Sequence, residues 1–113
     1  EGTISCELPK KLVHKNDIHI TSKRNFDCFQ DTELDMLLKR TLNVRNIIIC
    51  GVNTDTCVYG TTFGASNRGY NPIVIECCTG SMRGDNQHEV ALKIMSQSIA
   101  WVMKKEEIIN KLN

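Results

Sequence analysis

No apolar run in this chain of 113 residues approaches the length of a membrane span, and the stretch from Glu1 carries no signal-peptide h-region. No charge of one sign dominates either. Its 14 basic and 13 acidic side chains leave a net formal charge of +1, and the densest run, Lys104-Lys105-Glu106-Glu107, mixes both signs. That excludes an electrostatic footprint for nucleic acid or for an anionic membrane surface. The six cysteines, at positions 6, 28, 50, 57, 77 and 78, form no C-x-x-C pair and no zinc-ribbon spacing. His14, His19 and His88 fall at no ligand spacing with one another or with the cysteines, so each reads as a surface or helix-start residue. No metal and no cofactor are expected. Repeats and low-complexity tracts are absent, and a single domain at most is expected from the length. The chain opens on Glu1 and not on methionine, which points to processing or to part of a longer polypeptide. Three of the cysteines sit in or beside apolar strands of an α/β pattern. That suits free thiols in a reducing, cytoplasmic setting better than a disulfide framework.

What the chain does have is centred on residues 47–60, Ile-Ile-Ile-Cys-Gly-Val-Asn-Thr-Asp-Thr-Cys-Val-Tyr-Gly. A β-branched run stops at Gly51, a short polar segment follows, and a helical pattern opens at Cys57. A buried strand feeding a helix through a tight turn places that turn at the carboxyl edge of a parallel sheet, where open α/β folds bind ligands. Thr54 and Asp55 are good N-cap types, which puts Cys57 in the first helical turn. Unpaired N–H groups and the positive end of the helix dipole favour a thiolate there, so Cys57 is a candidate nucleophile. The alternative is that Cys57 is a small buried hydrophobe. Gly60, Gly64 and Ala65 recur at helical spacing and offer a small-residue face for close packing on the sheet.

The remaining pattern supports the same architecture. Thr3–Ser5 is a short extended candidate, the segment around Pro9-Lys10-Lys11 a polar turn, and Asp17–Thr21 alternates as a short strand. Lys23 follows that strand at the same sheet edge, where an ammonium can stabilise a thiolate and negative charge developing in a substrate. A solvated lysine beside Arg24 is the other reading. Thr32 caps a helix with Asp35 in its first turn, and Leu34, Leu37, Leu38 and Leu42 supply its apolar face. Gly69 ends the Cys57 helix in a left-handed conformation. Pro72–Glu76 is a strand, with Cys77-Cys78-Thr79-Gly80 as the loop after it. Residues 85–88 open a third helix that buries Ala91, Leu92, Met95 and Ile99. Ala100–Met103 forms a last strand and Lys105–Leu112 a closing helix. Strands alternating with helices give βαβ units and a parallel sheet covered on both faces.

Gly51-Val52-Asn53-Thr54-Asp55-Thr56-Cys57-Val58 resembles the nucleophile motif of the isochorismatase-like cysteine hydrolases, G-V-x-T-x-x-C-V. Thr61 or Thr62, Ala65 and Gly69-Tyr70 resemble its continuing helix. Lys23, Phe29, Thr32 and Leu34 fit the family segment K-x-x-x-x-x-F-x-x-T-x-L, and Gly2-Thr3 and residues 87–92 fit as well. The resemblance covers essentially the whole chain and is strongest to the branch of N-carbamoylsarcosine amidase and ureidoacrylate amidohydrolase. It implies an α/β fold of three layers, α-β-α, on a parallel Rossmann-like sheet. Residues 1–113 would be the C-terminal portion of one such domain, without its N-terminal strands.

The resemblance also implies an Asp–Lys–Cys triad in which Cys57 is the nucleophile and Lys23 the lysine. A non-proline cis peptide at Val52–Asn53 would aim the N–H groups of Asn53 and Cys57 into an oxyanion hole. The implied reaction is hydrolysis of a C–N bond in a small amide, ureido or carbamoyl compound through a thioester, releasing ammonia or an amine. The aspartate belongs to a strand that would precede Glu1, and Asp17 does not take its role. A separate N-terminal segment would therefore carry it. A nicotinamidase-type hydrolase is the alternative within the family, disfavoured because Arg24 and not glycine follows Lys23. Isochorismatase proper is disfavoured because that branch lacks the nucleophilic cysteine. A non-catalytic subunit or interaction module is the alternative outside it. Phe26 and Phe29 are candidate pocket walls, with core positions as the other reading. Arg83 and Gln87 are candidate substrate ligands, Arg83 otherwise a surface residue. The expected partners are a small-molecule substrate and further copies in a homo-oligomer, with no nucleic acid and no membrane. The vicinal Cys77-Cys78 pair suggests a redox role.

Overall fold

The computed structural model describes residues 8–113; the Thr3–Ser5 candidate lies outside them. After Pro9, residues Lys10–Leu12 make a single 3-10 turn closed by the Leu12 N–H on the Pro9 carbonyl. Residues 17–24 then run without regular structure, and Ile18 is exposed. The alternating Asp17–Thr21 stretch is thus no strand. Alternation marks only which side chains could share a face, and no strand among the described residues pairs with this one.

Helix α1 begins at Leu34–Met36 and widens into π-type turns over Leu37–Thr41. Glu33, and not Thr32 as expected, occupies the cap position; Thr32 stands one residue earlier, its hydroxyl accepting the Leu34 N–H at 3.4 Å while donating to the Cys28 carbonyl. Leu34, Leu37 and Leu38 are half-buried, whereas Leu42 lies past the helix end and is exposed. Strand β1 is Asn46–Val52, and β2 is Asn71–Gly80. Helix α2 spans Tyr59–Asn67 and is entered through a wide π-type turn at Thr54–Val58. It ends in a Schellman motif: Tyr70 N–H bonds Ala65 O at 3.1 Å, Gly69 N–H bonds Ser66 O at 3.0 Å, and Gly69 has φ +85°. Helix α3 is Asp85–Ser98, strand β3 Trp101–Met103 and helix α4 Lys105–Leu112. Glu107 closes the start of α4 by accepting the Lys104 N–H at 2.7 Å.

The three strands form one parallel sheet in the order β1-β2-β3. Cys77-Cys78-Thr79-Gly80, expected as a loop, belongs to β2. Between the Ile49↔Val74 and Gly51↔Thr79 pairs the register shifts, so β2 bulges and then resumes its ladder up to Val52↔Gly80. A bulge of this kind is invisible to a pattern that stops at the first turn-like residues.

Alternation divides the sheet side chains between two layers. Ile49, Val74 and Val102 pack with α2 and α3 through Val58, Ala65, Ala91, Leu92 and Met95. Ile75 and Met103 pack on the opposite face with Ile108 of α4. The architecture is therefore α/β with helices on both faces of a parallel sheet, as expected. Val74 and Met95 are fully buried. Each apolar side chain so removed from water contributes about 1.5–3 kcal/mol.

Candidate active site

β1 delivers the chain to the carboxyl edge of the sheet at Val52, and the next peptide bond, Val52–Asn53, is cis. The family resemblance anticipated this bond. Asn53, extended at φ −91° and ψ 144°, occupies the cap position that Thr54 and Asp55 were expected to share; both of those lie inside the first turn. The Asn53 carbonyl accepts the N–H groups of Thr56 and Val58, each at 3.1 Å, and not that of Cys57. A π-type widening therefore includes Cys57, a form of helix irregularity that often accompanies functional sites.

Three residues of the turn, Asn53, Thr54 and Asp55, hold it against residues 81–88. The Asn53 side-chain oxygen accepts the Met82 N–H at 2.9 Å. Buried Thr54 places its hydroxyl 2.7 Å from Nδ1 of His88 in the first turns of α3. Asp55 accepts the Ser81 hydroxyl at 2.7 Å and pairs with the Arg83 guanidinium at 2.6 Å. The Ser81 hydroxyl, and after it Arg83, hold the Asp55 carboxyl below the usual carboxylate range. None of these contacts is readable from spacing, since each joins residues about thirty positions apart; only the placement of His88 at a helix start was.

Cys57 and Lys23 meet at one cavity of about 170 Å³. Cys28, Cys50, Val52 and Thr61 also line it, and both Cys57 and Lys23 are half-buried. No carboxylate and no histidine is among the described residues lining it. Lys23 arrives there on an irregular loop fastened to α2. The Thr61 hydroxyl accepts the Cys28 N–H at 3.1 Å and has the Phe26 carbonyl at 3.3 Å and the Cys28 sulfur at 3.2 Å as acceptors. Arg68 pairs with Asp27 at 3.4 Å. Gly60 and Gly64 face this loop: a Cβ at Gly60 would stand 3.4 Å from Asp27 N and Phe26 Cβ, and one at Gly64 would meet the Asp27 carboxylate. The small-residue face of α2 was expected to press on the sheet. Only Ala65 does so, within the core, while the two glycines admit the loop that carries Lys23.

The other candidate residues stand apart from the cavity lining. Phe29 is a core residue, stacked on Tyr70 with ring centroids 5.5 Å apart and covered by the Arg68 guanidinium at 4.9 Å. Phe26 is 67% exposed. Arg83 spends its guanidinium on Asp55, and Gln87 lines a separate depression with Asp55, Tyr59 and Val90. Cys50, Cys77 and Cys78 gather at the β2 bulge. Cys77 and Cys78 sulfurs are 4.0 Å apart, and burial first, then Cys78, pushes the Cys50 thiol up. No group of three His, Cys, Asp or Glu among the described residues is arranged to hold a metal ion. No described helix is long and apolar enough to cross a membrane.

A parallel sheet with a thiol at the first turn beyond its carboxyl edge, and a lysine lining the same cavity, defines an α/β protein of the open parallel-sheet class. The chain belongs to the isochorismatase family, whose Isochorismatase domain model matches residues 1–107. The uncharacterized isochorismatase family protein YecD of Escherichia coli O157:H7 is 31% identical over 97 residues, covering 86% of this chain and 50% of YecD. An isochorismatase-like hydrolase from Alkaliphilus metalliredigens superposes with a TM-score of 0.88 at 27% identity, covering 100% of this chain and 60% of that one. The nicotinamidase SaPncA of Staphylococcus aureus gives a TM-score of 0.68 at 36% identity, over 73% of this chain and 50% of its own. The chain thus spans half to three-fifths of the length of these relatives.

Proposed function

We propose that this chain carries the nucleophile and the lysine of a cysteine-dependent amidohydrolase. The single observation that supports it is the shared cavity of Cys57 and Lys23 at the carboxyl edge of the sheet. The Cys57 thiolate adds to the carbonyl carbon of a small amide, ureido or carbamoyl compound. Backbone N–H groups of Asn53 and Cys57 receive the developing oxyanion, and Lys23 stabilises the added charge. Collapse expels ammonia or an amine and leaves a thioester, which water then cleaves.

The reaction needs an acceptor for the thiol proton and a donor to the leaving nitrogen. Neither a carboxylate nor an imidazole, the usual groups for both steps, is among the described residues lining the cavity. In this reading an aspartate from a further segment supplies both steps, and the complete enzyme is a cytoplasmic homo-oligomer. Nicotinamide is kept as a second substrate because the Staphylococcus aureus neighbour is named a nicotinamidase. The test is ammonia release from a panel of carbamoyl, ureido and pyridine carboxamide compounds, with intact mass recorded on the same preparation. Cys57→Ala is expected to abolish release and leave the far-UV spectrum unchanged. Turnover that survives it overturns the nucleophile assignment. No turnover of any compound, with an aspartate-bearing segment present by mass, would leave the chain a binding module.

A further inference from the structure

Among the described residues the Lys23 ammonium has no hydrogen-bond partner, its backbone carbonyl accepts only the neighbouring Arg24 guanidinium, and the segment it sits in, residues 17–24, joins no described sheet. Its position is inherited from its neighbours: before it the Ser22 hydroxyl donates to the exposed Glu33 carboxylate at 2.7 Å, and after it residues 26–28 are fastened to α2. Thr61 lies four residues beyond Cys57 on the same helix and is 8% exposed. Its hydroxyl engages backbone on both sides of Asp27, taking the Cys28 N–H and facing the Phe26 carbonyl and the Cys28 sulfur. It also lines the Cys57 cavity itself. The second fastening to α2, Arg68 to Asp27, is longer at 3.4 Å and partly open to solvent, where an ion pair holds geometry weakly, and the Ser22–Glu33 contact is exposed. A hydroxyl with one proton and two acceptors in reach, buried against a backbone N–H, is the firmer tether.

Resting on the reading that Lys23 activates Cys57, we propose that Thr61 is the positioning residue that sets the Lys23 ammonium against the Cys57 sulfur. Nucleophile and ammonium are thereby referenced to one helix. Cys57 sits in its first wide turn, and Lys23 is tethered to its next turn through Thr61. Removing the hydroxyl lets the loop drift while the helix and the core stay in place.

The experiment is the rate of iodoacetamide alkylation of the Cys57 peptide at neutral pH, followed by mass spectrometry. Alkylation of exposed Cys77 in the same digest serves as internal control. Lys23→Met should slow Cys57 roughly tenfold or more, as expected for removing an opposite charge. Thr61→Val should slow it severalfold, with Cys77 unchanged, and Thr61→Ser should restore the rate. In the Lys23→Met background Thr61→Val should do nothing further, because its effect passes through the lysine. An unchanged Cys57 rate in Thr61→Val, an equal loss in both backgrounds, or failure of serine to rescue overturns the positioning role. An unchanged rate in Lys23→Met is a separate failure, of the lysine–cysteine reading itself.

Discussion

Gly64 shows most clearly how much one atom decides in this chain. Alanine in the middle of a helix is favoured over glycine by about 1 kcal/mol. At Gly60 that gain should be kept, because a new Cβ would only reach contact distance, 3.4 Å, from Phe26 and Asp27. At Gly64 the same Cβ would overlap the Asp27 carboxylate, whose oxygens are held by the Phe29 N–H at 2.8 Å and by Arg68. Moving that carboxylate breaks both contacts, and overpacking of this kind costs about 1–3 kcal/mol. Gly64→Ala is therefore expected to lower the urea midpoint and Gly60→Ala to leave it unchanged or raise it. Equal midpoints would mean that the loop is not seated on the glycines. The spacing of the glycines was legible in the sequence, but their neighbour was not. Phe26 and Asp27 lie more than thirty residues away, and only the assembled fold names them.

At the scale of elements, the hydrogen bond from Tyr70 to Asp35 ties α1 to the start of β2, 2.7 Å from phenol oxygen to carboxylate. The phenol, and secondarily Lys39, hold the Asp35 carboxyl below its usual range against the opposing effect of burial. Burial, and then Asp35, push the Tyr70 hydroxyl up to about 12. The carboxylate contribution is present above the ordinary carboxylate range and is lost as pH falls through the lowered folded value. The phenol contribution is complete below its unfolded value of about 10 and is lost as pH rises through the folded one. Tyr70→Phe should accordingly flatten both flanks of the stability profile, most visibly in urea midpoints compared below and above pH 10. A profile unchanged by the substitution would show that α1 is held by its leucines alone. Elements that carry their own signal were the ones readable in advance. Lys105–Leu112 matched residue for residue, and Gly69 is left-handed as its place after α2 required. The failures share a cause. Asp17–Thr21 alternates but pairs with no strand among the described residues, and Cys77–Gly80 looks like a turn but pairs with β1. Strand formation is decided by the partner, and the sequence of one segment does not contain it.

For the whole molecule, the consequence is an open sheet. Among the described residues β1 is hydrogen-bonded on one edge only, and register aligns Ile48, Ile73 and Trp101 in a row across all three strands. Helix α4 covers the next row, Ile75 and Met103, but leaves Ile48 at 45% and Trp101 at 69% exposure. An unpaired strand edge next to an apolar row is a template for association, since both backbone groups and side chains gain by meeting another copy. The 113-residue chain on its own is therefore expected to self-associate as its concentration rises. Ile48→Lys places a solvated charge in the middle of the row and beside the open edge, without touching the cavity lining or the core of the α2–α3 face. Sedimentation velocity over a concentration series should show the wild-type chain shifting to larger species and Ile48→Lys remaining monomeric, with Cys57 alkylated at the same rate in both. A wild-type chain that stays monomeric throughout would mean that the row is tolerated in water. Association that persists in Ile48→Lys would move the contact away from this edge, to surfaces remote from β1.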